Sequence, residues 1–398
     1  MTMLAERTLL IKPSVTLAIA AKAGKLRSEG IDVINFSAGE PDFDTPGRIK
    51  AAAIEALKKG MTKYTDVRGI EPLRQAIARK YLSEYGLRYQ LSEILVSCGA
   101  KHSLYNLFQA VVNPGDEVLV PAPYWVSYAD MALLAGGVPK IIQTNEASGF
   151  RISAQQLADA LSSRTRVFVL NSPSNPTGAS YGENELTAIA QVLEKHNCLI
   201  VTDDIYDKIV YDGFTIQNLV TLAPSLRDRS VIVNGVSKSY AMTGWRIGYA
   251  LGPTDIIGAA AKIQSQSTSN PTSIAQAAAV EAIEGPQDDV AMMVGEFAKR
   301  RNVVVERLNA ISGVQCLKPQ GAFYVFPNIA AFIGKNANGK KLASACDVAD
   351  YLLEEAKVAA VPGEDFGSNA HIRLSYATSL ENIDEGCRRM RDAFGKIH

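Results

Sequence analysis

The chain has 398 residues, 47% of them hydrophobic and 21% charged, and its 41 basic side chains balance its 41 acidic ones. That composition excludes a disordered chain, and the length points to a large core divided between two domains. Zero net charge leaves no electrostatic footprint for a nucleic acid or an anionic membrane, so any anion site has to be local.

The N-terminal segment carries Glu6, Arg7 and Lys12 and has no long apolar run, so neither a secretory signal nor a membrane span is expected. Cys98, Cys198, Cys316, Cys346 and Cys387 never form a C-x-x-C, and the four histidines follow no ligand spacing. The expectation is reduced thiols, a cytoplasmic location and no metal.

The first forty residues read as irregular and end in the Gly/Pro-punctuated segment from Phe36 to Phe43, which can bring backbone close to a ligand. Helices are predicted over Ile49 to Lys59 and Ile70 to Tyr85, with Tyr64 in the polar loop between them. A strand, Ile94 to Ser97, runs into Cys98-Gly99-Ala100-Lys101, and the stripe Leu104, Leu107, Phe108, Val111 then marks a helix. Strand, glycine turn and helix start can together bind an anion through free N–H groups. The same turn also serves as a plain βα connection.

Strands and helices alternate from there. Val118 to Val120, Val138 to Ile142, Arg166 to Leu170 and Cys198 to Val201 read as strands, the last ending at Thr202-Asp203-Asp204. Asn171 to Gly178 is a loop dense in turn residues, followed by a helix with Leu186, Ile189, Ala190 and Leu193 on one face. This α/β pattern implies a mostly parallel sheet whose loops collect at the strands' carboxyl ends. No G-x-G occurs, so a dinucleotide fingerprint is absent, as is a G-x-x-x-x-G-K-[ST] phosphate loop.

Two apolar runs, Val231 to Val233 and Ile247 to Leu251, flank a small-residue turn that places Lys238 near a strand end, with Arg246 eight residues on. A lysine between two serines beside an arginine suits an imine-forming amine next to a phosphate site; a solvated surface lysine has the same local signature. After about residue 285 the pattern changes to a helix through Phe297, Val304 and Leu308. Strand-like Ala322 to Phe326, Val358 to Val361 and His371 to Tyr376 follow, with helices near 347–356 and 381–394. This reads as a smaller α+β domain joined by the N-terminal forty residues.

In this order, Gly39-Glu40-Pro41-Asp42, Tyr64, Gly99-Ala100-Lys101, Pro123-Tyr124-Trp125, Asn171 through Gly178, Asp203-Asp204-Ile205-Tyr206, Ser237-Lys238 to Arg246 and His371 through Tyr376 resemble the class I aminotransferases of the fold type I pyridoxal-phosphate enzymes. The resemblance covers nearly the whole chain and is strongest to the bacterial aspartate/prephenate subgroup. It implies a large domain (48–285) with a mostly parallel seven-stranded sheet between helices. It also implies a small C-terminal α+β domain (286–398) and an N-terminal arm (1–47) lying partly with it.

The resemblance also assigns roles. Lys238 would hold pyridoxal 5′-phosphate as a Schiff base and, once released, move the proton between the substrate Cα and the cofactor. Asp203 would pair with the pyridine nitrogen, although a carboxylate at a strand end also serves as a helix cap. Tyr206 and Asn175 would hydrogen-bond the phenolic oxygen, and Trp125 would stack on the ring; turn structure and core packing are the alternatives for these residue types. The phosphate would rest on Gly99, Ala100 and Lys101 with Ser237 and Arg246, and Tyr64 would reach it from the neighbouring subunit of a homodimer with shared active sites.

For the substrate, Arg373 would grip the α-carboxylate with help from Asn175, Trp125 and Gly39. Gln264 to Gln276 holds no Arg or Lys, so the partner-subunit arginine of one aspartate aminotransferase subgroup is absent. The other subgroup's lysine after the glycine turn is present as Lys101, and Lys12 and Thr16 match its acidic-substrate positions. The implied activity is amino transfer between L-aspartate and 2-oxoglutarate. A prephenate, aromatic or alanine-type aminotransferase is the alternative, and a non-catalytic cofactor-binding sensor a more remote one. The expected partners are amino-acid and 2-oxo-acid substrates and a second copy of the chain.

Overall fold

Short apolar runs buried on both faces build the centre of the protein. In the computed structural model, which describes residues 3–11, 13 and 15–398 (15–17 as backbone only), seven strands join in one sheet. They are β1 (Ile94–Ser97), β2 (Glu117–Pro121), β3 (Val138–Ile142), β4 (Thr165–Asn171), β5 (Leu199–Asp203), β6 (Ser230–Gly235) and β7 (Gly248–Leu251). Their order is β1-β7-β6-β5-β4-β2-β3. All neighbours run parallel except β7, which is antiparallel to both β1 and β6.

Alternate side chains of each strand face opposite layers. Val118, Val120, Val167, Val169, Val201, Val231 and Val233 pack with Leu104, Leu107 and Phe108 on one side. Leu119, Phe168, Leu170 and Ile200 pack with Leu186, Ile189 and Leu193 on the other. Covering both faces explains why these strands read as unbroken apolar runs rather than alternating ones.

Helices near the site are α1 (Val15–Ser28), α2 (Gly47–Lys58), α3 (Glu71–Tyr85), α4 (Ala100–Val111) and α5 (Ser127–Leu134). A second, antiparallel sheet joins Val361–Pro362, Ile372–Ser375 and Tyr324–Val325. It shares one hydrophobic cluster with the long helix Asp288–Asn309 and the last helix, Leu380–Phe394. Ile34 and Phe36 belong to that cluster too, and Ile34–Asn35 pairs with Val358–Ala359. Ile205, Tyr206 and Ile209, just beyond β5, wedge into the same cluster and bring the two sheets together at the site.

Two expectations need correction. The first forty residues are not irregular throughout: the 14-residue α1 occupies about a third of that stretch, with Ile19, Ala23 and Leu26 turned toward Val33, Leu353 and Ala359. The i, i+4, i+7 spacing is present, but exposed alanines blur it and only Ala23 is fully buried. The expected strand Val358 to Val361 is two separate pairs, because its first half joins Ile34–Asn35 and its second half joins Ile372–Arg373.

The peptides before Pro123 and Pro176 are cis, and so is that before Pro173. The cysteines are free. Among the described residues no helix is long and apolar enough to cross a membrane.

Candidate active site

Loops at the carboxyl ends of β1, β2, β4, β5 and β6 surround a cavity of about 580 Å³. Ala100, Lys101, Trp125, Asn175, Asp203 and Tyr206 line it, together with Ser237, Lys238 and Arg246. Gly39 and Arg373 enter from the N-terminal segment and the second sheet. Eleven of the residues singled out in the sequence therefore meet at one place.

Gly99 stands just behind this wall, and Tyr64 projects from the surface at 89% exposure, away from the cavity of its own chain. Lys12 and the side chain of Thr16 lie outside the described residues.

The end of the cavity next to α4 is built by backbone approach. Gly99 has φ +89°, and a Cβ there would sit 2.2 Å from Arg246 Nη2. A Cβ on Gly248, at the start of β7, would lie 2.0 Å from the Ala100 nitrogen. These glycines let the N-terminus of α4, with its free N–H groups, come up against Arg246 and Ser237. Arg246 is steadied by donating from Nη1 to the Thr243 carbonyl at 2.8 Å.

Lys238 Nζ donates to the Gly39 carbonyl at 2.6 Å. Burial is the main reason its pKa falls to about 8; Arg246 and Arg373 lower it further, against Glu40 and Asp203. Asp203, 3% exposed, accepts from the Tyr128 hydroxyl at 2.6 Å and from the Ile205 N–H at 3.3 Å. Burial pushes its carboxyl up to about 6 in spite of both bonds and of Lys238. The Tyr206 and Tyr324 hydroxyls share a hydrogen bond of 3.0 Å, and burial, then Tyr324, raises the Tyr206 pKa well above the ordinary phenol range.

Arg373, 2% exposed, donates to Asn175 Oδ1 at 3.0 Å and to the Ser37 carbonyl at 2.9 Å. Its guanidinium lies 4.6 Å from the Tyr324 ring centre and 5.1 Å from that of Phe366. Its Nε has no partner, and no ion pair to it forms among the described residues. Trp125 stands edge-on to Tyr128 at 5.2 Å, and Lys101 Nζ lies 4.8 Å from the Trp125 ring centre. Burial, then Arg246, depresses the Lys101 pKa.

On sequence alone, no role attaches to Tyr128, Tyr324 or Asn171. Asn171 donates to the Asp203 carbonyl at 2.8 Å and accepts from the Asn175 N–H at 2.9 Å, tying β4 to β5. Tyr128 follows Trp125 at helical i+3 spacing, a signal that was readable; nothing in the apolar run around Tyr324 marks it as facing a cavity.

These features fit pyridoxal phosphate. A carboxylate with a pKa raised by burial calls for a cation such as a ring N–H. The Gly99 cradle, which a Cβ would fill, suits a phosphate, and the orphaned Arg373 Nε suits a substrate carboxylate.

A family model for aminotransferase class I and II matches residues 31–390. A probable aspartate/prephenate aminotransferase of Rickettsia bellii is 49% identical, covering 100% of both chains. The crystal structure of an aspartate aminotransferase from Rhizobium meliloti superposes with a TM-score of 0.96 at 46% identity, covering 100% of both chains. That of a Thermus thermophilus aspartate aminotransferase with maleate gives 0.93 at 41% identity, covering 99% of this chain and 100% of that one. The sheet order, the cavity at the strand ends and these full-length similarities agree, and the chain belongs to the class I and II aminotransferases, enzymes that depend on pyridoxal phosphate.

Proposed function

We propose that this aminotransferase exchanges the amino group between L-aspartate and 2-oxoglutarate by a ping-pong mechanism, with oxaloacetate and glutamate as products. The observation that carries the reading is one cavity uniting the depressed amine of Lys238, the buried carboxylate of Asp203 and the guanidinium of Arg373.

When bound, pyridoxal phosphate supplies an aromatic ring that accepts the electron pair left as the substrate Cα–H bond breaks. Lys238 Nζ would hold the cofactor at rest and, once freed, would take the Cα proton as general base; burial, which lowers its pKa, favours the neutral amine that this role needs. Asp203 keeps the ring nitrogen protonated, and Tyr206, whose hydroxyl stays protonated at working pH, donates to the cofactor's phenolic oxygen with Asn175. Gly99, Ala100, Ser237 and Arg246 hold the phosphate.

Arg373 binds the α-carboxylate through its planar fork, a charge-assisted contact of roughly 1.5–3 kcal/mol. Lys101, on the same cavity wall beyond Trp125, takes the distal carboxylate. The maleate-bound Thermus structure and the aspartate aminotransferase names of the relatives support a dicarboxylic substrate.

The proposal includes a cytoplasmic homodimer, in which Tyr64 reaches the partner's phosphate site. Its exposure supports this, as do the apolar side chains of Met3, Leu4, Leu9, Leu10, Ile54 and Leu57 left on the surface. We further propose the division into an arm (1–47), a cofactor-binding domain (48–285) and a small domain (286–398), which the pairing of Ile34–Asn35 with Val358–Ala359 supports.

Half-reaction kinetics with a panel of amino donors, followed by the cofactor's absorbance, tests the substrate assignment. Aspartate and glutamate should react fastest. A phenylalanine or alanine preference would replace dicarboxylates with another class, and failure of any donor to react would favour a sensor. Prephenate as an amino acceptor is a second reading, suggested by the name of the Rickettsia relative, and belongs in the same panel.

A further inference from the structure

The end of β5 and the turn after it carry three carboxylates in five residues, Asp203, Asp204 and Asp207, all buried. Backbone bonds from Asp204 N to the Val233 carbonyl (2.8 Å), from Asp207 N to the Asp204 carbonyl (2.9 Å) and from Ile209 N to the Tyr206 carbonyl (2.8 Å) shape it. Asp203 and Tyr206 line the cavity, whereas Asp204 and Asp207 do not.

Behind the turn, Lys80 enters from α3 with its side chain only 4% exposed. Its Nζ donates to Asp207 Oδ2 at 2.5 Å and lies 3.3 Å from Glu84 Oε2. The same Asp207 oxygen accepts from Asn234 Nδ2 at 2.9 Å, and Asn234 sits on β6, the strand that leads to Ser237 and Lys238. One ion pair thus braces both strand ends that present groups to the cofactor.

We propose that Lys80 is a positioning residue for the reaction: paired with Asp207, it holds the turn and the end of β6 from behind, so that Asp203, Tyr206 and Lys238 keep their mutual aim. The inference rests on the aminotransferase reading of those three residues. The groups facing the pair are Glu84, Tyr81 and Tyr85 on α3, Tyr249 on β7, Tyr240, and Asp204 on the turn. Glu84 is shared with Lys208, which lies 2.5 Å from its Oε1. Burial, then the charges of Asp207 and Asp203, pushes the Asp204 carboxyl up to about 8, so near neutrality it is mainly protonated and accepts from Asn218 Nδ2 at 3.2 Å. Lys80 and Asp207 therefore form the charged core of the brace. Removing one partner strands the other without compensation, and the turn must then shift, admit water or change protonation.

A double-mutant cycle on the holoenzyme with aspartate and 2-oxoglutarate tests this, using Lys80→Met, Asp207→Asn and the combined variant. Each single change should lower kcat about tenfold with KM for aspartate changed by less than about threefold, and the pair together should recover most of the loss. The pH midpoint of the cofactor's absorbance should move by roughly half a pH unit, upward in K80M, where an unmatched carboxylate favours the protonated chromophore, and downward in D207N.

Wild-type kcat and midpoint in the folded fraction of both single variants would overturn the proposal, even if their stability drops. So would a combined variant whose loss equals the product of the single losses. If K80M is not recovered folded, D207N against the combined variant decides: recovery supports the brace, and a further loss overturns it. A wild-type protein that binds cofactor but does not turn over removes the aminotransferase reading itself, and this inference with it.

Discussion

Tyr128 shows how one buried hydroxyl can set the chemistry of the site. Its bond to Asp203 favours the ionised carboxylate, while burial pushes the other way and wins, leaving the pKa near 6 instead of 3.8. An ionised Asp203 is what a protonated ring needs, so the apoprotein's affinity for pyridoxal phosphate should fall as pH drops through about 6. Tyr128→Phe should move that fall upward by about one pH unit, since a hydrogen bond to a charged group is worth about 1.5–3 kcal/mol. Fluorescence titration of the apoprotein across pH checks it, and an unmoved midpoint would remove Tyr128 from this role. The sign for stability follows from the same residue. A carboxyl raised in the folded state contributes stability present below the ordinary Asp range and lost as pH rises through about 6. Asp203→Asn should therefore raise the apoprotein's Tm at pH 8 relative to its Tm at pH 4, compared with the same difference in the wild type, as read by calorimetry. At Lys101 the expectation concerns specificity: Lys101→Ala should raise KM for aspartate about tenfold or more and leave that for phenylalanine nearly unchanged. Equal losses for both would exclude it from the distal-carboxylate role.

Among the elements, the start of α4 was legible because strand, glycine and an i, i+3, i+4, i+7 stripe stand next to one another in the chain. That β7 would close over it was not, since the contact between Gly248 and Ala100 joins residues far apart in sequence. Gly99→Ala tests the geometry: φ +89° strains the new residue, and its Cβ would displace Arg246. Affinity for pyridoxal phosphate should fall by about tenfold or more, with the folded apoprotein retained. Unchanged affinity would mean that Arg246 has room to yield. Helix α1 taught the opposite lesson. Its inward stripe is only three residues, one buried and two half-buried, among exposed alanines, so packing against Val33, Leu353 and Ala359, rather than its own periodicity, makes it visible.

Over the whole molecule, the cavity lies where the central sheet meets the C-terminal sheet, and Arg373 reaches it from the second of these. A homodimer gives a sharp expectation: sedimentation at micromolar concentration should yield twice the chain mass of 42.8 kDa. Mixing inactive Lys238→Ala with weakened Tyr64→Phe chains should then form hybrids with one site carrying both native residues, restoring up to about a quarter of wild-type activity. No regain on mixing would place Tyr64 outside the partner's site. The sequence by itself determined the alternation of strands and helices and pointed to most of the side chains that line the cavity, because both depend on residue types and on spacings within about twenty positions. It also carried the family likeness, through motifs kept in order along the chain. Only the tertiary structure decided which oxygen or nitrogen meets which. Tyr128 on Asp203, Tyr324 on Tyr206 and Lys80 on Asp207 are contacts between segments about 75 to 130 residues apart. Burial raises the pKa values of Asp203, Tyr128 and Tyr206, whereas the charge of Asp207 raises that of Lys80 against burial; both are properties of the packed molecule that no local pattern encodes.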